Sequence, residues 1–148
     1  MAAGRRKWDN WDMAHIFRNF RCSFVAAYVF RYILPPLAWA GLIFYLSGIP
    51  GLKTPFSWDY ILRKLAHMFE YAVLCALVAR AFAGAGLTGR RQVGYAVILA
   101  VLYAVTDEYH QSFVPGRFCS PMDVLIDAVG AAAGYYGFLL LRRRKCIK

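Results

Sequence analysis

Four apolar runs set the pattern of the chain. They cover about residues 32–48, 65–85, 93–109 and 122–141, with short polar stretches between them. Each is close to the roughly 17–25 residues that an α-helix needs to cross a bilayer. Spanning strands would be shorter and would alternate polar with apolar residues, so helices fit the runs better. Pro35 and Pro36 fall near the start of the first run, where a missing N–H is tolerated best or produces a kink. Arg80, late in the second, is placed to snorkel to the interface. The pattern predicts an all-α fold, a transmembrane bundle of four helices.

Composition agrees with this pattern. Hydrophobic residues make up 60% of 148, and the mean hydropathy is +0.42. A water-soluble domain is nearer half apolar, and one of this size needs more polar surface over its core. The length suits one domain. Residues 1–31 form a basic, aromatic-rich amino-terminal segment, and residues 32–148 form the membrane domain with its basic tail.

Charge then orients the bundle. The net charge is +10, from 18 Lys and Arg against 8 Asp and Glu. The basic residues flank apolar runs, which points to membrane topology and away from nucleic acid. Fourteen of the eighteen lie before the first run, between the second and third, or after the fourth. Only Lys53, Arg63, Lys64 and Arg117 fall in the other two connections. By the positive-inside rule both termini are expected in the cytoplasm. The amino-terminal segment lacks a plain apolar core before a cleavage site and does not read as a cleavable signal. Its Trp8, Trp11, Ile16, Phe17, Phe20 and Phe24, interleaved with His15, Arg18 and Arg21, suit either an interfacial helix or a basic tail that only fixes topology.

Some features read as structural. Cys22, Cys75, Cys119 and Cys146 contain no C-x-x-C pair, which leaves no zinc-knuckle or thioredoxin-like motif. Gly130, Ala131, Ala132, Ala133, Gly134 and Gly137 place small residues along the fourth run, as close helix packing requires. Trp39, Phe44, Tyr45, Trp58 and Tyr60 fit lipid-facing or interfacial belts.

The candidate chemistry lies in the acidic residues. Five of the eight, Glu70, Asp107, Glu108, Asp123 and Asp127, fall at or inside predicted spans, with His67 and His110 beside them. A carboxylate inside a bilayer costs several kcal/mol, so such groups face the bundle interior and are paired. The expected orientation brings the three motif-bearing spans to one depth on the outer face. Lys64, His67, Glu70 and Tyr71 share helix faces by their three- and four-residue spacing, as do Asp107 with His110 and Asp123 with Asp127. The polar turn from Gln111 to Arg117 joins them, and the planar fork of Arg117 suits a carboxylate or phosphate.

Three readings of this cluster stay open. His67, Glu70, Asp107, His110 and Asp123 could hold a divalent metal, zinc, iron or manganese sooner than magnesium, that activates water. Without a metal, His67, Glu70, Asp107, Glu108, His110 and Asp123 are the candidates for general acid–base work, with Lys64, Tyr71, Gln111, Arg117 and Asp127 as ligand-binding partners. The third reading is a buried polar network that only holds the helices together. No nucleophile elbow, P-loop or H-E-x-x-H motif is present. Proton-coupled transport would need a polar path, and the inner halves of the last three runs are nearly free of ionisable groups.

These residues resemble a known family. Lys64-Leu-Ala-His67-Met-Phe-Glu70-Tyr71 is similar to the K-x-x-H-x-x-E-Y motif of VanZ-like membrane proteins. Asp107-Glu108-Tyr-His110-Gln111-Ser-Phe-Val-Pro115-Gly116-Arg117, followed by Ser120 and Asp123, resembles the family's second motif. Tyr45-Leu-Ser47-Gly-Ile-Pro50 is a looser match, and Asp127 stands where the family pattern usually carries Asn. The resemblance spans about residues 33–141. It implies a multi-pass protein of the bacterial cytoplasmic membrane, and for some members a link to low-level resistance to the glycopeptide teicoplanin. The expected partners are membrane lipids and a lipid-linked or peptidoglycan-related ligand, not nucleic acid.

Overall fold

The structure, a computed structural model, describes residues 23–50, 58–117 and 120–146. Among these it holds four helices and no strand: α1 (Ser23–Ser47), α2 (Asp59–Gly84), α3 (Gly89–Gln111) and α4 (Pro121–Cys146). The stretch proposed as an interfacial helix lies almost wholly outside the described residues. Of that stretch only Phe24 is described, and it sits exposed in α1.

The first helix starts earlier than its apolar run. It passes through the expected boundary at residue 31 and through Pro35 and Pro36, which therefore lie inside the helix. The chain accommodates them with a π-helical turn over Val29–Ile33. In regular helical bonding the carbonyl of Arg31 would accept from residue 35 or, in the wider π turn, from residue 36. Both are proline and have no N–H. The Arg80 guanidinium of α2 donates to that carbonyl instead.

Three helices, α1, α2 and residues Pro121–Arg143 of α4, are long and apolar enough to cross a membrane. α3 has the length, 23 residues, but carries Asp107 and Glu108 near its end. Its surface resolves the apparent conflict. Ala96, Ala100, Ala104, Asp107 and Gln111, spaced by three and four, are buried. Ile98, Leu99, Leu102 and Val105 point outward and are exposed. Helix α3 is therefore apolar on its outer face and small or polar on its inner one.

Small residues set the closest contact. A Cβ placed on Gly130 or Gly134 of α4 would collide with the backbone of Met68 or Ala72 in α2. Gly137, one turn on, meets open space, so only part of the small-residue stripe is used for packing. One apolar cluster, Cys75, Ala79, Ala96, Ala100, Ala131 and Tyr135, fills the end far from the acidic groups. A second, Ile43, Tyr71, Leu74 and Ala104, lies directly beneath them. Two side chains fasten α1 to the other helices: Trp39 donates from Nε1 to the Glu70 carbonyl at 2.9 Å, and the Tyr103 hydroxyl donates to the Ala40 carbonyl at 2.6 Å. Trp39 is thus half-buried between helices, where the sequence suggested a lipid-facing or interfacial ring.

Candidate functional site

The acidic end of the bundle is built by the end of α1, the first turns of α2, the end of α3 and the start of α4. Helix α3 stops at Gln111, and the chain turns through Val114, which is buried, and Gly116, whose φ of 82° suits a residue without a Cβ. That turn presents Arg117 to the bundle, with the Arg117 amide donating to the Val114 carbonyl at 3.1 Å.

The polar groups form a layered arrangement. Among the most buried is Asp107, 2% exposed, which accepts at Oδ2 from Ser47 Oγ and from Gln111 Nε2, both at 2.9 Å. The other end of the Gln111 amide accepts from Arg117 at 2.8 Å. A chain of hydrogen bonds therefore runs from α1 through α3 to the turn. Tyr71 is fully buried within electrostatic reach of Asp107 and Asp127.

His67 sits one level further out, between two carboxylates. Its Nδ1 is 3.8 Å from Glu70 and 3.9 Å from Asp127, beyond ordinary hydrogen-bond reach of either. That nitrogen and Asp127 Oδ1 are both buried without a hydrogen-bond partner. Lys64 pairs with Asp123, joining α2 to α4, and Arg63 pairs with Asp59 at 3.0 Å.

Two cavities meet here. A cleft of about 410 Å³ opens outward and is lined by Tyr60, Arg63, Lys64, Arg117, Ser120 and Asp123, with His67 at its base. A smaller space of about 80 Å³ lies beside it against Ser47, His67 and Glu70. Arg63, His67 and Arg117 line both. Lys64 and Arg63 each have a carboxylate partner. Arg117 makes no ion pair among the described residues and is held only by a neutral amide. The cleft thus offers a guanidinium with no direct ion pair, although Glu70 lies within its electrostatic reach across the smaller space.

Not every residue singled out in the sequence faces this cleft. Glu108 is buried and accepts from the Ser120 backbone N–H at 3.1 Å. It places its carboxylate at the amino end of α4, where negative charge and a free N–H complement each other. His110 stacks on Phe44 of α1, ring centroids 4.0 Å apart and planes at 21°. No group of three or more His, Cys, Asp or Glu side chains among the described residues is arranged to hold a metal ion. The five residues put forward as metal ligands spread instead over four positions: His67 with Glu70, Asp107 with Ser47, His110 on Phe44, and Asp123 with Lys64.

The structure also adds Ser47, which residue type alone did not flag as a site residue. Its signal lay in the loose Tyr45-Leu-Ser47-Gly-Ile-Pro50 match at the end of the first run.

The family model described as VanZ/LLP1 matches residues 8–142, nearly the whole chain. No curated protein and no solved structure matches the sequence. The chain belongs to the VanZ-like family.

Proposed function

We propose that this VanZ-like membrane protein binds an anionic, lipid-linked group of the bacterial cell envelope in the cleft at the acidic end of its bundle. The observation that carries this reading is the Arg117 guanidinium, which reaches both cavities and makes no direct ion pair among the described residues. A planar guanidinium in such a setting suits a phosphate or carboxylate, and Lys64 and Arg63 add positive charge at the rim. Exposed apolar helix faces run down from the cleft, so a ligand with a hydrocarbon tail can keep the tail in lipid while its head enters.

On this reading the chain crosses the cytoplasmic membrane four times, with both termini inside and the cleft outward. The basis is the distribution of Lys and Arg among the connections. Occupation or modification of an envelope precursor at that face would connect the protein to glycopeptide, and specifically teicoplanin, resistance. Loss of binding in Arg117→Gln tests the proposal.

A second reading adds chemistry to binding. His67 at the base of the cleft, with Glu70 and Asp127 within 4 Å of its Nδ1, has the surroundings of a general base. Of the two histidines whose Nδ1 is buried without a hydrogen-bond partner, His67 and His110, His67 is the one that lines the cleft. Proton-coupled transport fits less well. Below the site the bundle is filled by Cys75, Ala79, Ala96, Ala100 and Ala131, which provide no polar path.

A further inference from the structure

A second cavity, of about 340 Å³, lies at the opposite end of the bundle. Tyr32 of α1, Arg80 and Ala83 of α2, and Phe138, Leu141 and Arg142 of α4 line it. All six acidic residues in the described part of the chain lie toward the other end, with Asp59 in the first turn of α2. Arg80 and Arg142 therefore have no carboxylate partner among the described residues. Arg80 is fixed in place: it donates to the Arg31 carbonyl that Pro35 and Pro36 leave free, and its guanidinium carbon lies 5.6 Å from the Tyr32 ring centre. Arg31 lies 5.9 Å from the same ring. Gly84 permits this arrangement, because a Cβ there would strike the Tyr32 ring.

We propose that this cavity binds the phosphate of an anionic phospholipid, through Arg80 and Arg142, with its acyl chains along Phe138 and Leu141. Depth supports a lipid over a free anion. At 1.5 Å per residue, Lys64 to Arg80 spans about 24 Å of helix and Asp123 to Arg142 about 28 Å. The cavity thus lies about one hydrocarbon thickness from the acidic end, at headgroup level. Basic pockets between helices on the cytoplasmic side are the setting in which anionic headgroups bind. The apolar wall continues into exposed Leu140 and Leu141, which offer acyl chains a surface that inorganic phosphate would not use. This site is independent of the cleft around Arg117.

Native mass spectrometry of the full chain, purified in detergent with equal phosphatidylglycerol and phosphatidylcholine, tests the proposal. The wild type should retain phosphatidylglycerol in preference, and excess inorganic phosphate should not displace it. Arg80→Gln with Arg142→Gln should lower that preference about tenfold or more. Arg142→Gln alone, at an exposed side chain, should lower it severalfold and remains informative if the Arg80 change disturbs α1. Ala83→Phe, which fills the cavity but keeps both arginines, should lower it as well. Arg117→Gln should leave it unchanged. Equal retention of the two lipids, a preference that survives the double variant, or an undiminished preference in Ala83→Phe would overturn the proposal. So would displacement by phosphate, or a dimer that the double variant dissociates, which would assign the cavity to a second copy of the chain.

Discussion

Ser47, in the last turn of α1, donates a 2.9 Å hydrogen bond to Asp107 of α3 across sixty positions of sequence. Both residues are 2% exposed. The bond ties the first helix to the polar layer and supplies one of the donors that make a buried Asp107 tolerable.

Ser47→Ala removes that donor and leaves Gln111 to satisfy the oxygen alone. A hydrogen bond to a charged group contributes about 1.5–3 kcal/mol. Thermal unfolding in detergent should show Ser47→Ala less stable by that amount. An unchanged midpoint would mean that Asp107 does not depend on α1.

Gly134 and Gly137 provide a paired test of helix packing. Gly134→Ala forces a methyl into the Ala72 backbone and should cost on the order of 1–3 kcal/mol as α2 and α4 separate. Gly137→Ala meets open space and should stabilise the helix, by up to about 1 kcal/mol. Equal effects in the same unfolding assay would contradict the described α2–α4 contact.

His110 is predicted to pack and not to bind. His110→Phe keeps a ring on Phe44 and removes a buried unpartnered nitrogen, so stability and ligand binding should both hold. His110→Ala should lose about 1 kcal/mol of stacking. A loss of binding in His110→Phe without loss of stability would return this residue to the site.

The proposed envelope role can be tested in cells. Expression in a teicoplanin-susceptible bacterium should raise the concentration needed to inhibit growth, and Arg117→Gln at equal abundance should not. An equal rise with both would detach any resistance from the cleft.

Much of this was legible in the sequence, for physical reasons. Apolar runs near bilayer length mark helices, and the three- and four-residue spacing of Lys64, His67, Glu70 and Tyr71 places them on neighbouring faces. Burial of carboxylates inside a bundle follows from the cost of charge in lipid. Individual partners were harder to read. Glu108 and His110 carry the residue types of a catalytic group, yet one caps α4 and the other stacks on Phe44, because each partner comes from another element. Likewise α1 starts well before its apolar run, so that the two prolines expected near its beginning lie inside the helix. Their missing donors are compensated by Arg80, 49 positions away from Arg31, a relation that no local pattern carries.

The claim at the centre of this account is that Arg117 holds an anionic head whose tail stays in lipid. Calorimetric titration of the detergent-purified full chain with farnesyl diphosphate, and separately with inorganic phosphate and farnesol, tests it most directly. The account predicts that the diphosphate binds more tightly than either fragment. It also predicts that Arg117→Gln weakens that binding about tenfold or more, since a hydrogen bond to a charged group contributes about 1.5–3 kcal/mol, while thermal stability is kept. Binding of the diphosphate that is absent in the wild type, or equal in wild type and Arg117→Gln, would contradict it.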